Sequence, residues 1–210
     1  MENIIIIGGG GHAKVLASVL KKHRDWNPYG YTDVKSFGPL LGLPYIGTDS
    51  CLQSLISEKK IYKAAMGIGQ TKHVEIRKHT IGNIVAYGLH FPQIISPNSI
   101  VNEAVEIGQG TLLMDGTIIQ TGVKIGEYSI INTGATIDHD CLIGDYVHVA
   151  PGAVLSGDII IGNNVLIGTG ARVIQGIHIG KDVIVGAGAV VVKNIGKPGL
   201  YTGVPARRVV

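Results

Sequence analysis

A six-residue repeat of aliphatic side chains occupies the second half of this 210-residue chain. Counting in sixes from Ile95 to Val191 finds isoleucine, leucine or valine at every step, with no insertion. Such a period is typical of a parallel β-helix, in which each repeat forms a short strand and a turn. Because alternate strand residues point to opposite sides, the repeated residue and the one two before it are predicted to face inward.

The pair Ile-Gly marks a longer period within this repeat. It recurs at residues 107, 125, 143, 161 and 179, so three repeats make one triangular coil of 18 residues. Residues 18 apart should then stack at the strand spacing of about 4.8 Å. We predict a left-handed parallel β-helix of hexapeptide repeats over residues 86–194, followed by a C-terminal tail, residues 195–210. A buried α/β sheet is the competing interpretation, but it needs helical segments that this region lacks.

The first 85 residues follow a different pattern, that of an α/β mononucleotide-binding (half-Rossmann) domain. Residues 4–7 are all isoleucine, as in a buried strand, and Gly8-Gly9-Gly10-Gly11-His12-Ala13 follows before a helical stretch to about Arg24. The pattern fits G-x-G-x-x-A, where backbone N–H groups can hold a pyrophosphate. Gly30-Tyr31-Thr32-Asp33 would end a second strand, where an acidic group can bind a ribose or base.

A later strand, residues 62–66, is predicted to end in Gly67-Ile68-Gly69 before a helix that contains Arg77. This segment is too short for a complete two-lobed dinucleotide fold, so a nucleotide-sugar is the expected ligand. The alternative is a tight strand-to-helix turn with no ligand.

Composition narrows the function classes. The net charge of +3 and pI of about 8.8, without a stripe of Lys and Arg, argue against nucleic acid and favour a small anionic substrate. Two cysteines give no disulfide framework, and no apolar run approaches the roughly 20 residues of a membrane span. The N-terminus resembles no cleaved leader, so we expect a cytoplasmic protein with no membrane partner.

The hexad of residues 137–142 places His139 between two carboxylates, Asp138 and Asp140. A histidine with a neighbouring carboxylate is suited to act as a general base near neutral pH. One coil below it lies Thr121 and one coil above lies Gly157, whose missing side chain would leave room for a thioester and a backbone N–H donor. The alternative is a solvated surface histidine. Cys141 is predicted to pack in the core.

His148 is the second histidine that the repeat places outward. It lies nine residues, half a coil, from His139, so the two are not expected to meet within one chain, although neighbouring subunits of a trimer could join them. A simple interface contact is the alternative for His148. His178 is also outward by phase. Arg207 and Arg208 in the tail are interpreted equally well as contacts to CoA phosphates or as solvated side chains.

The motifs together resemble a group of bacterial sugar acyltransferases over nearly the whole chain. They are Gly8-Gly9-Gly10-Gly11-His12, Thr32-Asp33, the hexads, Asp138-His139-Asp140-Cys141 and Gly203-Val204-Pro205-Ala206. The group includes sialic acid O-acetyltransferases and the N-acetyltransferases of UDP- or GDP-linked 4-amino sugars, such as perosamine and the bacillosamine precursor.

The resemblance implies a homotrimer with active sites between subunits, acetyl-CoA as co-substrate and no metal. It implies catalytic roles for His139, Asp140 and Asn132. The implied acetyl-CoA contacts are His148, Gly157, Thr169, His178 and Ala187, and the implied nucleotide-sugar contacts are Gly10, Gly11, His12, Thr32, Asp33 and Gly69. Some relatives carry glutamate where this chain has Asp140, and the shorter side chain can reach His139 differently.

The expected reaction is direct transfer of acetyl to a sugar amine, since no exposed Ser or Cys is paired with a base. O-acetylation of sialic acid or another sugar hydroxyl is an alternative, and a non-catalytic nucleotide-sugar-binding trimer is another. A zinc carbonic anhydrase on the same fold would need three converging histidines, and only His139 and His148 are well placed. The nucleotide and the sugar stay open.

Overall fold

The computed structural model describes residues 1–70 and 74–209, which divide into two compact units after residue 97. The division falls after the predicted end of the first domain at residue 85. The helices of the first unit are α1 (Gly11–Lys22), α2 (Leu52–Lys59) and α3 (Glu75–Ala86), with a 3₁₀ turn at Asp49–Cys51. Its strands are β1 (Glu2–Ile7), β2 (Trp26–Thr32), β3 (Tyr45–Gly47), β4 (Lys63–Met66) and β5 (Ile94–Ile95).

A parallel sheet of four strands, in the order β3-β2-β1-β4, forms the centre of the first unit. The inner strand β1 carries the run of four isoleucines, which are at most 1% exposed. A strand inside a parallel sheet is covered on both faces, which explains the uninterrupted apolar run. Leu16 and Leu20 of α1 are fully buried. The predicted α/β architecture is confirmed.

The second unit is the predicted left-handed β-helix, with three faces of short parallel strands. The first face contains β7 (Glu106–Ile107), β10 (Lys124–Ile125), β13 (Leu142–Ile143), β16 (Ile160–Ile161) and β19 (His178–Ile179). The second contains β8 (Leu112–Leu113), β11 (Ile130–Ile131), β14 (His148–Val149), β17 (Leu166–Ile167) and β20 (Val183–Val185). The third contains β6 (Ile100–Val101), β9 (Ile118–Ile119), β12 (Thr136–Ile137), β15 (Val154–Leu155), β18 (Arg172–Val173) and β21 (Val190–Val191).

Successive coils pair residues 18 apart, as the Ile-Gly period predicts. Lys124 pairs with Leu142, and Ile125 pairs with Ile143. Polar interior residues find partners within the β-helix: the buried Ser129 donates its hydroxyl to the Gly144 carbonyl of the adjacent coil at 3.0 Å, and the buried Thr117 donates to the Met114 carbonyl of its own coil at 3.1 Å. A buried hydroxyl without a partner would be costly, so these hydrogen bonds make polar residues tolerable in the narrow core.

From residue 104 to residue 188, each turn of the β-helix has a residue with left-handed backbone geometry at the same position of the hexad. These positive-φ residues recur every six positions: Ala104, Gly110, Gly116, Gly122, Tyr128, Gly134, Asp140, Tyr146, Gly152, Asp158, Asn164, Gly170, Gly176, Asp182 and Gly188. Glycine, Asn and Asp adopt this geometry most readily, which explains their abundance at this step. Asp140 therefore occupies a turn position as well as a position beside His139.

The C-terminal residues extend the second face with β22 (Gly199–Thr202) and β23 (Arg207–Arg208). Strand β22 runs parallel to β20, and β23 returns antiparallel to β22. Arg207 and Arg208 are exposed and donate to nearby carbonyl oxygens of the tail. Over residues 1–70 and 74–209, none of the helices has the length and apolar character needed to span a membrane.

Candidate active site

His139 lies in the turn that follows β12, with 46% of its side chain exposed. Its backbone N–H donates to Asp138 Oδ1 at 2.8 Å, which fixes the start of the turn. Its ring atom Nδ1 lies 2.9 Å from Asp140 Oδ2. A carboxylate on Nδ1 favours the tautomer with the proton there, leaving Nε2 as an acceptor.

Asp140, which directly follows His139 and contacts its ring, has a left-handed backbone with φ of 57°. The hydrogen bond to Asp140 raises the pKa of His139 above its usual value, and the charges of Asp138 and Asp158 add to the rise. A raised pKa makes the imidazole a stronger base, and it also means that more of it is protonated at neutral pH.

Gly157 provides the space that the His139 ring occupies. An ideal Cβ placed on Gly157 would lie 2.4 Å from His139 Nε2, closer than any real contact allows. In the coil below, the backbone carbonyl oxygen of Thr121 accepts the Asp140 N–H at 3.1 Å. The basic atom of the ring therefore lies against bare backbone. No acceptor in the described part of the chain takes the N–H of Gly157, so this donor is available to a ligand.

Cys141 follows this turn and points into the core, as predicted. It is fully buried, and its Sγ lies 3.1 Å from the Ser156 carbonyl oxygen. Burial raises the pKa of the Cys141 thiol to about 11. A thiol with so little thiolate character near pH 7 is a poor nucleophile, which favours the packing interpretation.

Asn132 and His148 meet on the second face of the β-helix, away from the turn of His139. Asn132 Nδ2 lies 3.1 Å from His148 Nε2, and Asn132 Oδ1 accepts the Thr133 N–H at 2.8 Å. With its oxygen held by the backbone, the amide presents its NH₂ to Nε2, so the neutral imidazole carries its proton on Nδ1. The residue spacing did not predict this pair.

The repeat predicts that His148 faces outward, and the structure shows that it is covered there. It is only 9% exposed in the single chain, and its outward-facing neighbour Ile130 in β11 is fully buried. Hexad phase reports which side of a strand a residue occupies, but it cannot report what covers that side. His139 and His148 lie on different parts of the prism, as the count of nine residues predicts.

The remaining residues that are implied to contact CoA lie in two places on the β-helix, one at a corner and one on the first face. Thr169 and Ala187 are exposed at one corner in consecutive coils, where the Gly188 N–H donates to the Thr169 carbonyl at 2.8 Å. His178 is exposed on the first face, and its N–H donates to Asn194 Oδ1. Within one chain, the structure groups Thr169 with Ala187 but not with His178.

The glycine loop of the first unit connects β1 to α1. The Gly9 N–H donates to Asp33 Oδ2 at 2.7 Å, and Asp33 Oδ1 accepts the Val34 N–H at 2.7 Å. Gly10 caps α1, and an ideal Cβ on Gly10 or Gly11 would meet nothing within 4 Å. The helix N-terminus therefore faces open space, as a phosphate-binding loop requires.

Two other predicted contacts border this loop. Gly69 lies against His12, with an ideal Cβ only 3.3 Å from His12 Cβ. Thr32 is fully buried, and its hydroxyl donates to Asp49 Oδ1 at 2.8 Å. The side chain of Thr32 thus connects β2 to the 3₁₀ turn, and its carbonyl oxygen accepts the Gly8 N–H at 2.7 Å.

A cavity of about 290 Å³ adjoins the glycine loop. Its lining residues are Gly9, Gly10, Gly11, Lys14, Phe37, Pro39, Leu40 and Leu41. The sequence motifs do not include Lys14 or residues 37–41. The available signal was a phenylalanine four residues after Asp33, in the loop that follows β2. Among the described residues, no cluster of three or more His, Cys, Asp or Glu side chains is arranged to hold a metal ion.

A left-handed β-helix of hexapeptide repeats, with an imidazole paired to a carboxylate at one turn, is the architecture of the hexapeptide-repeat transferases. Residues 3–82 match the family profile described as the PglD N-terminal domain. Residues 104–139, 122–157 and 158–193 match the bacterial transferase hexapeptide (six repeats) profile. A search of the curated proteins found no match.

Solved structures similar to this chain extend over its whole length. One is an alanine variant, at a single histidine, of GDP-perosamine N-acetyltransferase from Caulobacter crescentus with CoA and GDP-perosamine, at 34% identity and a TM-score of 0.92, covering 100% of this chain and 98% of the other. Another is the acetyltransferase domain of PglB from Neisseria gonorrhoeae with acetyl coenzyme A, at 35% identity and a TM-score of 0.87, covering 99% of both chains. WeeI from Acinetobacter baumannii matches at 28% identity and a TM-score of 0.86, covering 100% of both.

The chain therefore belongs to the bacterial sugar acyltransferase family in which a PglD-type domain precedes hexapeptide repeats. The predicted family and enzyme class are confirmed, with acetyl-CoA as the co-substrate.

Proposed function

We propose that the protein transfers acetyl from acetyl-CoA directly to the amino group of a nucleotide-linked 4-amino-deoxy sugar, with His139 as general base. One observation carries the proposal: His139 Nε2 lies against the bare backbone of Gly157 while Asp140 holds Nδ1. Further support comes from the similar Caulobacter enzyme, which was solved with CoA and GDP-perosamine.

In the proposed reaction the sugar amine attacks the thioester carbon. A C–N bond forms, the C–S bond breaks, and CoA leaves as a thiolate. His139 Nε2 accepts the proton that the amine loses, and the Asp140 carboxylate stabilises the resulting imidazolium. The Gly157 N–H donates to the carbonyl oxygen as negative charge develops on it. No acyl-enzyme is needed, which agrees with the raised pKa of Cys141.

Acetyl-CoA is proposed to contact His148, Thr169, His178 and Ala187, with Asn132 orienting His148. Because some of these residues lie on different parts of one prism, we propose a homotrimer whose neighbouring subunits complete the site. Gly10, Gly11, His12, Thr32, Asp33 and Gly69 are proposed as the nucleotide-sugar contacts. Open space at the glycine loop and the Asp33 bond to Gly9 support that assignment.

The test is acetyl-CoA turnover with a panel of UDP-, GDP- and dTDP-linked 4-amino sugars. His139→Ala should lower kcat by roughly 10²- to 10⁴-fold, the usual contribution of a general base. His79→Ala is the matched control, because His79 is an exposed histidine of α3 outside the proposed site and should leave kcat unchanged. Full activity of His139→Ala would refute the mechanism.

The same assay, with free sialic acid added to the panel, separates the alternatives. Product from free sialic acid, but not from nucleotide-linked amines, would favour O-acetylation. Tight binding of nucleotide-sugars without any acetyl transfer would favour the non-catalytic trimer.

A further inference from the structure

An apolar wall faces the glycine loop across the cavity of about 290 Å³ in the first unit. Residues 37–41 supply this wall, and residues 9–11 supply the opposite side together with Lys14. Among the described residues that line the cavity, Lys14 is the only one whose side chain has a hydrogen-bonding group. A cavity that has backbone N–H groups and one ammonium on one side, and carbon on the other, suits a ligand with an anionic part and a flat apolar part.

Phe37 is the aromatic residue of this wall. Its side chain is large and apolar, yet 53% of the residue is exposed. The ring lies close to the loop, since an ideal Cβ on Gly9 would be 3.0 Å from Phe37 Cδ2. The ammonium of Lys35 lies 5.3 Å from the ring centroid. Such exposure leaves ring surface available to a planar partner, and the lysine adds positive charge nearby.

Tyr31 fixes the position of Phe37. Tyr31 is fully buried in β2, and its hydroxyl accepts the Phe37 N–H at 2.9 Å and donates to the Gly38 carbonyl at 2.7 Å. Lys21 of α1 also donates to the Leu41 carbonyl. The wall is thus held at both ends, by a side chain of β2 at Phe37 and Gly38 and by a side chain of α1 at Leu41.

We propose that Phe37 is the platform on which the nucleobase of the substrate stacks, with Lys14 facing the diphosphate and Tyr31 positioning the platform. The inference rests on the proposed function, because it names how the nucleotide part of that substrate is held. Aromatic stacking is available to every base, whereas the apolar wall offers few groups that distinguish one base edge from another.

The binding test uses UDP, GDP and dTDP as probes, titrated into the full-length protein by calorimetry. Phe37→Ala should raise their dissociation constants about 10-fold or more, given the usual strength of base stacking. Phe37→Tyr should bind as the native protein does. Phe37→Leu retains an apolar side chain without a ring and should lose most of the affinity that Phe37→Ala loses.

Inorganic pyrophosphate serves as a probe without a base. Its binding should be unchanged in Phe37→Ala and weakened in Lys14→Met. Val34→Ala is the matched control, because Val34 is 87% exposed in the same loop and does not line the cavity.

Tyr31→Phe tests the positioning role, because it removes both hydrogen bonds and keeps the buried ring. We expect a higher KM for the nucleotide-sugar with an unchanged KM for acetyl-CoA and unchanged kcat. A purely structural role would instead lower the melting temperature without this separation.

Native-like binding of all three nucleotides by Phe37→Ala and Phe37→Leu would overturn the inference, as would failure of the native protein to bind any of them. If the nucleotides bind with the predicted dependence on Phe37 but no acetyl is transferred, the proposed function fails and the platform stands. If acetyl is transferred and neither nucleotide binding nor turnover depends on Phe37, the platform fails and the proposed function stands.

Discussion

The two units use glycine for opposite purposes. In the turn of the β-helix, Gly157 provides room for a protein side chain, since the His139 ring occupies the place of its missing Cβ. In the loop of the first unit, Gly10 and Gly11 border open space and expose backbone N–H groups. Gly157 is required because the His139 ring occupies the space of a side chain. Gly10 and Gly11 are required because the loop must leave its backbone N–H groups uncovered. Substitution should therefore have different consequences in the two units.

The sharpest way to break this comparison is Gly157→Ala. Its added methyl would overlap His139 Nε2, so the ring must move. A displacement of about 1 Å in a catalytic group can cost roughly 100-fold in rate, so we expect kcat to fall by about that factor. Steady-state kinetics together with thermal unfolding check this. Unchanged kcat in a folded variant would mean that the present ring position does not matter for the reaction.

A second prediction concerns the carboxylate beside His139. Asp140→Asn keeps a residue that tolerates the left-handed backbone but removes the charge. Because the hydrogen bond to Asp140 raises the pKa of His139, its loss should lower that pKa. The base acts when deprotonated, so the acidic limb of kcat/KM should move to lower pH, while the plateau falls about 10-fold as the base weakens.

Asp158→Asn is the control for this shift. Asp158 occupies the same turn position one coil higher. Its carboxylate raises the pKa of His139 less than the carboxylate of Asp140 does. The midpoint should move less than in Asp140→Asn. An equal shift in both variants would contradict the role given to the Asp140 contact.

The third prediction tests the loop of the first unit, where a side chain organises backbone. Asp33→Asn weakens the bond that holds the Gly9 N–H, because a neutral acceptor replaces a charged one. The difference of about 1 kcal/mol should raise the KM for the nucleotide-sugar roughly 5-fold and leave the KM for acetyl-CoA unchanged. Asp25→Asn, at an exposed position outside this loop, is the control. A rise in both KM values would argue for general loosening of the fold.

The smallest expected effect is at a glycine that serves neither purpose. Gly82 lies in α3, is exposed, and an ideal Cβ there would meet nothing within 4 Å. Gly82→Ala should raise the free energy of unfolding by about 0.5–1 kcal/mol, because alanine favours the helix. Kinetics should not change. Chemical denaturation measures the gain, and destabilisation would contradict it.

The period of the repeat was sufficient to predict the β-helix, because inward and outward positions follow directly from counting. Ile137 and Cys141, which the count places inward, are fully buried. The count fails at the open end of the prism, where Val101 is 37% exposed because no coil precedes it. Local patterns in the first unit likewise predicted β1, β2 and β4, since each strand ends at a glycine or acidic signal.

The site was only partly predictable, because several of its contacts join residues that are distant in sequence. The stacking of Gly157 on His139 follows from the 18-residue period. The pairing of Asn132 with His148, and the burial of His148, depend on side-chain direction and on what covers the face. The link from Tyr31 to Phe37 depends on the path of an irregular loop, which carries no period.

The constant 18-residue offset between paired strands also bears on how such chains can change length. Each coil presents the same cross-section and the same hydrogen-bonding edge to the next, so inserting or deleting one whole coil would alter only the height of the column. Any other length change within a strand would rotate all later residues out of alignment. We therefore expect members of this family to differ in length by whole coils of 18 residues, or by loops inserted at the turns.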